Sequence, residues 1–162
     1  MPLREKTARC SGTTAKGSRC SRNTIKYPGR CFQHFQKQHG LRLGSSTIPG
    51  AGVGLFALKS FKKNAFVADY TGRTSSRPPA DDEYSVYMSR TKTMTARTTQ
   101  DAIGSRANDC RSSNKAAGDC TGNNAKLSIN NRTATVTLRA TRPIKRGDEV
   151  LVPYGAAYWR KK

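Results

Sequence analysis

The sequence predicts a mostly β protein made of several small sheets, with little helix and a short basic module ahead of the main body. Three observations predict it. Apolar residues fall in short runs such as Val53-Gly-Leu-Phe-Ala-Leu58 and Phe66-Val-Ala-Asp-Tyr70, the length of strands rather than of helices. Glycine, asparagine, serine and threonine separate these runs with turn chemistry. Leucine, isoleucine, valine and phenylalanine are sparse, so the core is modest. A chain of 162 residues accommodates one domain and at most a small appendage.

The first element is a cysteine/histidine module. Cys10, Cys20, Cys31 and His34 form a C-x9-C-x10-C-x2-H spacing with Gly12, Gly17 and Gly29 in the loops between. Three thiolates and one imidazole make a four-coordinate zinc set, and a segment this polar folds only if something like a metal replaces the missing core. The close Cys31/His34 pair is the specific part of the pattern. His39 is an alternative ligand, and free thiols on a basic arm are the plain alternative to a metal site. Gln36 to Gly40 carries no apolar rhythm and reads as a junction, which divides the chain into residues 1–40 and 41–162.

Charge sets the expected surroundings. The net charge is +20 and the isoelectric point about 10.4, so the protein attracts polyanions before any specific contact forms. Residues 1–42 carry ten Lys/Arg against the single Glu5, and residues 43–162 carry twenty against nine acids. Lys16, Arg19, Arg22, Lys26 and Arg30, presented from loops, suit contacts with nucleic-acid phosphates without base reading. Asp81-Asp82-Glu83 is the one acidic group in this basic chain; it reads either as a solvated turn or as a contact for a basic peptide. No run is long and apolar enough to span a bilayer, and the first residues lack the apolar centre of a secretory signal. Five cysteines, an odd number, fit a reducing, intracellular setting.

In the body, Thr47-Ile-Pro-Gly50 is a turn and Val53 to Leu58 the strand after it. Lys62-Lys-Asn64 breaks the pattern, and Phe66 to Tyr70 is a second strand ended by Gly72. Glu83-Tyr-Ser-Val-Tyr-Met88 suits either a strand or a short helical turn. Ala125 to Ile129 and Thr133 to Leu138, around Asn130-Asn131, form a hairpin. Cys110 and Cys120 flank a glycine- and asparagine-rich loop; two ligands do not make a metal site, so they read as ordinary thiols. Lys145-Arg-Gly-Asp148 is a tight turn before a last strand, Glu149 to Val152.

Four pieces of this body occur in one order: Gly50-Ala-Gly-Val-Gly-Leu-Phe56, Tyr70-Thr-Gly72, Arg106-Ala-Asn-Asp-Cys110 and Ile144-Lys-Arg-Gly-Asp-Glu-Val-Leu-Val-Pro-Tyr-Gly-Ala-Ala-Tyr-Trp159. Together they resemble the SET-domain lysine methyltransferases, in the minimal form of the single-domain viral members, over about residues 41–159. The resemblance implies small β-sheets around a knot-like crossing, S-adenosylmethionine on one face and a protein lysine, most often of a histone tail, entering from the other. It places Tyr154 at the catalytic tyrosine with Tyr70 beside it, and Tyr70, Tyr84 and Tyr158 along the lysine channel. Backbone groups of Gly52, Val53, Gly54 and Leu55 would meet the cofactor, Asn108 and Asp109 would hold its amino-acid end, and Trp159 would lie over the adenine or close that side. The chain has Asn108-Asp109-Cys110 where the family usually has Asn-His-Ser, and it ends without the family's frequent cysteine cluster. A chromatin-associated methyltransferase is the implied function. The alternative is a non-catalytic SET-like protein that binds nucleic acid or chromatin. The sequence leaves the target lysine, the degree of methylation and dimerisation open.

Overall fold

Four small antiparallel sheets organise the described part of the chain. The computed structural model describes residues 8–24, 31–70, 72–76, 84–96, 103–155 and 158. Lys26, Arg30, the acidic group Asp81 to Glu83 and Trp159 lie outside these residues. The module begins with a two-strand sheet of β1 (Ala8–Arg9) and β2 (Asn23–Thr24). The body follows with a β3–β4 pair (Leu41–Ser45, Val53–Ala57). Next in sequence come β5 (Phe66–Asp69), β6 (Arg73–Ser75), β7 (Ser85–Ser89) and β8 (Lys92–Thr95). The hairpin β9 (Ala125–Asn130) and β10 (Thr135–Ala140) completes the set. Strand order is β5-β10-β9 in one three-stranded sheet and β6-β8-β7 in the other.

Period-two burial marks β10 as a strand with one face on the core. In β10, Val136, Leu138 and Ala140 are buried while Arg139 is exposed, so one face meets the core and the other meets water. Leu41, Leu55, Val67, Met94, Leu138, Ile144, Val150 and Val152 are almost wholly removed from solvent and form one core with neighbours from every sheet of the body. Each such side chain contributes roughly 1.5–3 kcal/mol by leaving water.

The structure corrects or settles five readings of the sequence. The residues read as a junction belong to a helix, α1 (Phe32–His39), which ends at Gly40 in the left-handed region, φ 66°, with its N–H on Gln36 O at 2.8 Å; glycine tolerates that conformation without penalty. Phe35 of α1, 2% exposed, sits in the core of the body, so tertiary packing supplies what the helix's own sequence lacks. The ambiguous stretch around Tyr87 is a strand, because β7 pairs with β8. The hairpin turn is longer than Asn130-Asn131: the ladder closes at Thr135↔Asn130, and the Asn130 side chain accepts the N–H groups of Arg132 and Thr133.

The expected last strand is no regular ladder. Glu149 bridges Phe56 antiparallel, Leu151 bridges Asn108 in parallel, and Leu151 O accepts the N–H groups of Asn124 and Ala125. Its backbone is shared among three partners, so no partner runs along it for long. Finally, Cys110 and Cys120 are joined as a disulfide rather than free, with Cα atoms 6.0 Å apart. The loop between them folds into a short helix, α2 (Ser112–Ala116), and returns to meet Cys110, whose N–H binds Asn123 Oδ1 at 2.8 Å while its sulfur accepts Gly122 N–H at 3.1 Å.

Phe35→Ala is expected to destabilise the protein by about 3–5 kcal/mol through the cavity it leaves. Denaturant unfolding checks this; a loss below about 1 kcal/mol would mean that α1 does not depend on the body's core.

Candidate active site

The site is assembled where three chain segments meet. The turn after β3, the Ala107–Asp109 stretch after the 3-10 helix (Ile103–Arg106), and the terminal segment from Glu149 to Tyr154 converge. At their centre is the carboxylate of Glu149, 6% exposed. It accepts Ser46 Oγ at 2.7 Å, Thr47 N–H at 2.8 Å, Thr47 Oγ1 at 2.6 Å and Asn108 Nδ2 at 3.2 Å. A buried carboxylate is tolerated when its oxygens are occupied by donors. Gly54 lies directly against it, and a Cβ there would overlap the carboxylate oxygen. Nothing larger fits.

Asn124, also buried, completes the arrangement: its amide donates to Glu149 O at 2.8 Å and its Oδ1 accepts Leu151 N–H at 2.9 Å. The side chain thus pairs with the terminal backbone as a neighbouring strand would. Glu149, Asn124, Asn123, Ser46 and Thr47 escape a reading of the sequence, which gives Glu149 only as the second acid of an acidic pair and the asparagines only as loop composition. Burial of a polar side chain leaves no periodic trace.

A cleft of about 840 Å³ opens above this junction, within the range of small-molecule sites. The turn after β3 and the start of β4 line it with Ile48, Pro49, Gly50, Ala51 and Val53. Tyr70, Tyr84, Tyr154 and Tyr158 line it as well, together with Asn108, Asp109, Arg106 and Arg111. Tyr154 and Tyr158 meet edge to face, ring centroids 4.8 Å apart. The structure therefore brings together Val53, Asn108, Asp109 and the four tyrosines. It does not bring the whole glycine turn into the cleft: Gly52 shapes the turn at φ 71°, Gly54 packs on Glu149, and the Leu55 side chain is wholly buried in the core.

Tyr154 is held at both ends. Its hydroxyl donates to Ala107 O at 2.9 Å, and its N–H binds Asp109 Oδ2 at 2.9 Å. Burial, reinforced by neighbouring phenols, pushes Tyr154 and Tyr70 above the ordinary tyrosine value, which is about 10. Both are neutral phenols over any physiological pH. A phenol oxygen is an acceptor as well as a donor, so the Tyr154 oxygen that donates its proton to Ala107 O has the chemistry to accept an N–H too. The Asn108 amide is engaged by Glu149 and by Val53 O at 3.1 Å.

A second site lies in the module. The ligand atoms of Cys10, Cys20, Cys31 and His34 all fall within 4.8 Å of one another, and the three cysteines are buried. Cys20 and Cys31 sulfurs are 3.9 Å apart, and His34 Nδ1 stands 3.4 Å from the Cys10 sulfur and 3.3 Å from that of Cys31. Such edges suit a tetrahedron with bonds of roughly 2.0–2.3 Å, the zinc distances. His34 Nε2 is 2.9 Å from Thr13 O, an outer bond that leaves Nδ1 as the ligand atom. Backbone N–H groups of Gly12 and Cys31 point at the Cys10 sulfur. Burial raises Cys31, but hydrogen bonds from the His34 backbone and side chain and from the neighbouring thiols outweigh it and bring it down to about 6. His39 stacks on Phe35 instead, centroids 4.5 Å apart.

Against known proteins, residues 52–155 match the family described as SET domain. The chain belongs to the SET-domain family. Its mostly β architecture of small antiparallel sheets is the SET fold. Among solved structures, one of ctPRC2 in complex with H3K27me3 and H3K27M is similar at TM-score 0.55 and 22% identity, over 71% of this chain and 14% of that one; this chain thus spans about a seventh of that protein's length. A "putative histone methyltransferase" of Plasmodium falciparum is similar at TM-score 0.53 and 21% identity, over 75% of this chain and 98% of that one. Among curated proteins none matches in sequence.

Glu149→Ala is expected to cost this SET domain about 2–4 kcal/mol, because it strands donors from Ser46, Thr47 and Asn108 and opens a void. Thermal and denaturant unfolding measure the loss. A change within about 0.5 kcal/mol, the range of ordinary surface substitutions, would remove Glu149 from the centre of the site.

Proposed function

We propose that this SET-domain protein is a protein-lysine N-methyltransferase that uses S-adenosylmethionine and acts on a histone tail. The observation that carries the reading is the doubly anchored Tyr154, its proton committed to Ala107 O, in a cleft with three further tyrosines. The cleft fits the cofactor: it has the volume, small residues at Gly50 and Ala51 that permit close approach, and Asn108 and Asp109 beside it. Val53 and Asn108 would hold the cofactor there. When bound, S-adenosylmethionine supplies an electrophilic methyl group.

The chain's own residues perform the rest. Aromatic rings of Tyr70, Tyr84 and Tyr158 pack along an alkyl stem and exclude water. Excluding water disfavours the lysine ammonium relative to the amine, and only the amine has the lone pair that attacks. The Tyr154 oxygen accepts one N–H of that amine and fixes the direction of its lone pair, the positional part of the rate enhancement. The released proton leaves to solvent.

The amino-terminal module, residues 1–40, is proposed to hold structural zinc through Cys10, Cys20, Cys31 and His34 and to keep the enzyme on chromatin. Arg22 and Lys16 are exposed on it, and phosphate contacts from such groups are non-specific and salt-sensitive. Among the described residues no helix is long and apolar enough to cross a membrane. A nuclear, chromatin-associated enzyme follows from substrate and charge together.

Calorimetry with S-adenosylmethionine and methyl transfer to histone-tail peptides test the reading. Tyr154→Phe should lower kcat by roughly two orders of magnitude or more with little change in cofactor affinity. No cofactor binding by the folded, metal-loaded protein would leave a non-catalytic SET protein. The pH profile is a further check: because both phenols ionise above the usual value, kcat/KM should climb as the substrate lysine deprotonates, toward about pH 10.4. A descending limb at about pH 9 that vanishes in Tyr70→Phe would contradict the assignment. For the module, metal analysis should find one zinc per chain, and Cys31→Ser should lose it and expose residues 8–24 to protease; a metal-free protein with the same protease resistance would overturn the zinc site.

A further inference from the structure

From the hydrogen bonds around Asp109, we infer that this residue is a positioning residue for Tyr154, acting through the protein and not through a ligand. The inference rests on the methyltransferase reading for its effect on rate, though not for its geometry. Asp109 is 9% exposed, and its two carboxylate oxygens are divided between two donors. Oδ2 accepts the Tyr154 N–H at 2.9 Å, and Oδ1 accepts Asn123 Nδ2 at 2.9 Å. Asn123 in turn accepts the Cys110 N–H through its Oδ1 at 2.8 Å. Tyr154 N–H, Asp109, Asn123 and Cys110 N–H thus form a run of donors and acceptors in which each of these carboxylate and amide oxygens has a donor facing it.

Two consequences follow from the chemistry of the side chain. A carboxylate offers acceptors on both sides, which an amide cannot do, so an aspartate at position 109 meets both the Tyr154 N–H and the Asn123 amide where an asparagine would not. The second anchor on Tyr154, the hydroxyl bond to Ala107 O at 2.9 Å, comes from the same short stretch of chain. Ala107 and Asp109 together therefore fix both the backbone and the phenol tip of one tyrosine, and a shift of residue 109 moves the oxygen that meets the substrate amine. Displacements of about 1 Å at a reacting centre can cost a hundredfold in rate.

The pair can be exchanged. Asp109→Asn places an amide where an acceptor is needed, facing either the Tyr154 N–H or the Asn123 amide. Asn123→Asp alone sets two carboxylates against each other. In the double variant D109N/N123D the roles swap: the amide oxygen introduced at position 109 accepts the Tyr154 N–H, and its NH2 donates to the carboxylate introduced at position 123. That carboxylate keeps the Cys110 N–H, and net charge is unchanged.

The experiment measures three quantities on the full chain: amide hydrogen exchange at Tyr154, S-adenosylmethionine Kd, and kcat with a lysine peptide. Each single variant should speed exchange at Tyr154 and lower kcat by roughly tenfold or more, with Kd within about threefold of wild type. The double variant should restore protection and most of kcat. A Kd weakened more than about tenfold in D109N, with Tyr154 protection intact, would make the carboxylate a ligand of the cofactor and overturn the inference. So would a double variant that folds but restores neither. Should a single variant fail to fold, the double variant alone decides. A wild type that transfers no methyl group would sink the enzymatic reading, while exchange at Tyr154 would still decide the Asp109 contact.

Discussion

A carboxylate taken out of water must be met by donors, and in this protein the donors that meet Glu149 come from parts of the chain about a hundred and about forty residues away. Ser46 and Thr47 reach it from the turn after β3, Asn108 from the segment after the 3-10 helix, and Gly54 leaves the space it occupies. Three segments that share no regular sheet are thereby fixed to one another. The terminal stretch from Glu149 to Val152 is the common thread, bridging Phe56 on one side and Asn108 on the other. The cleft and its tyrosines inherit their positions from this junction. Neutral donors around an ion also make the junction selective: a carboxylate without them would carry an uncompensated desolvation cost.

The same economy recurs one turn further on. Asp109 follows Asn108, Tyr154 follows the terminal stretch, and the bond between them extends the junction into the cleft. Asparagine side chains stand in for strands: Asn124 pairs with the backbone of Glu149 and Leu151, and Asn123 pairs with Asp109 and Cys110. A core poor in large apolar residues is thus supplemented by buried polar networks in which the partners are matched. The Cys110–Cys120 disulfide closes the loop that carries Asn123 back to this network.

The amino-terminal module joins the body by different means. Its three buried cysteines form a cluster of their own, apart from the main core. Helix α1 belongs to both: Cys31 at its start and His34 in its first turns serve the cluster, while Phe35 enters the body. Among the described residues, the Cys/His cluster and Phe35 therefore link a segment with no large core of its own to a domain that has one.

By itself the sequence determined the mostly β class, the strands written as short apolar runs between turn residues, the Cys/His spacing, and the order of glycine turn, asparagine segment and terminal tyrosines by which the chain is a SET-domain protein. These are local signals, written in neighbouring residues whose spacing matches a repeat or a motif. Tertiary structure alone decided that Gln36 to His39 are helical, that Glu149 to Val152 pair three ways, that Cys110 meets Cys120, and that Glu149, Asn123 and Asn124 are drawn into the polar network. Each of these depends on a partner far along the chain: Phe35 finds the body's core, and Glu149 finds Ser46, Thr47 and Asn108. A polar residue in a loop has the same appearance in sequence whether water or a buried donor completes its hydrogen bonds. Only the fold chooses between them, because only the fold brings the donor within about 3 Å.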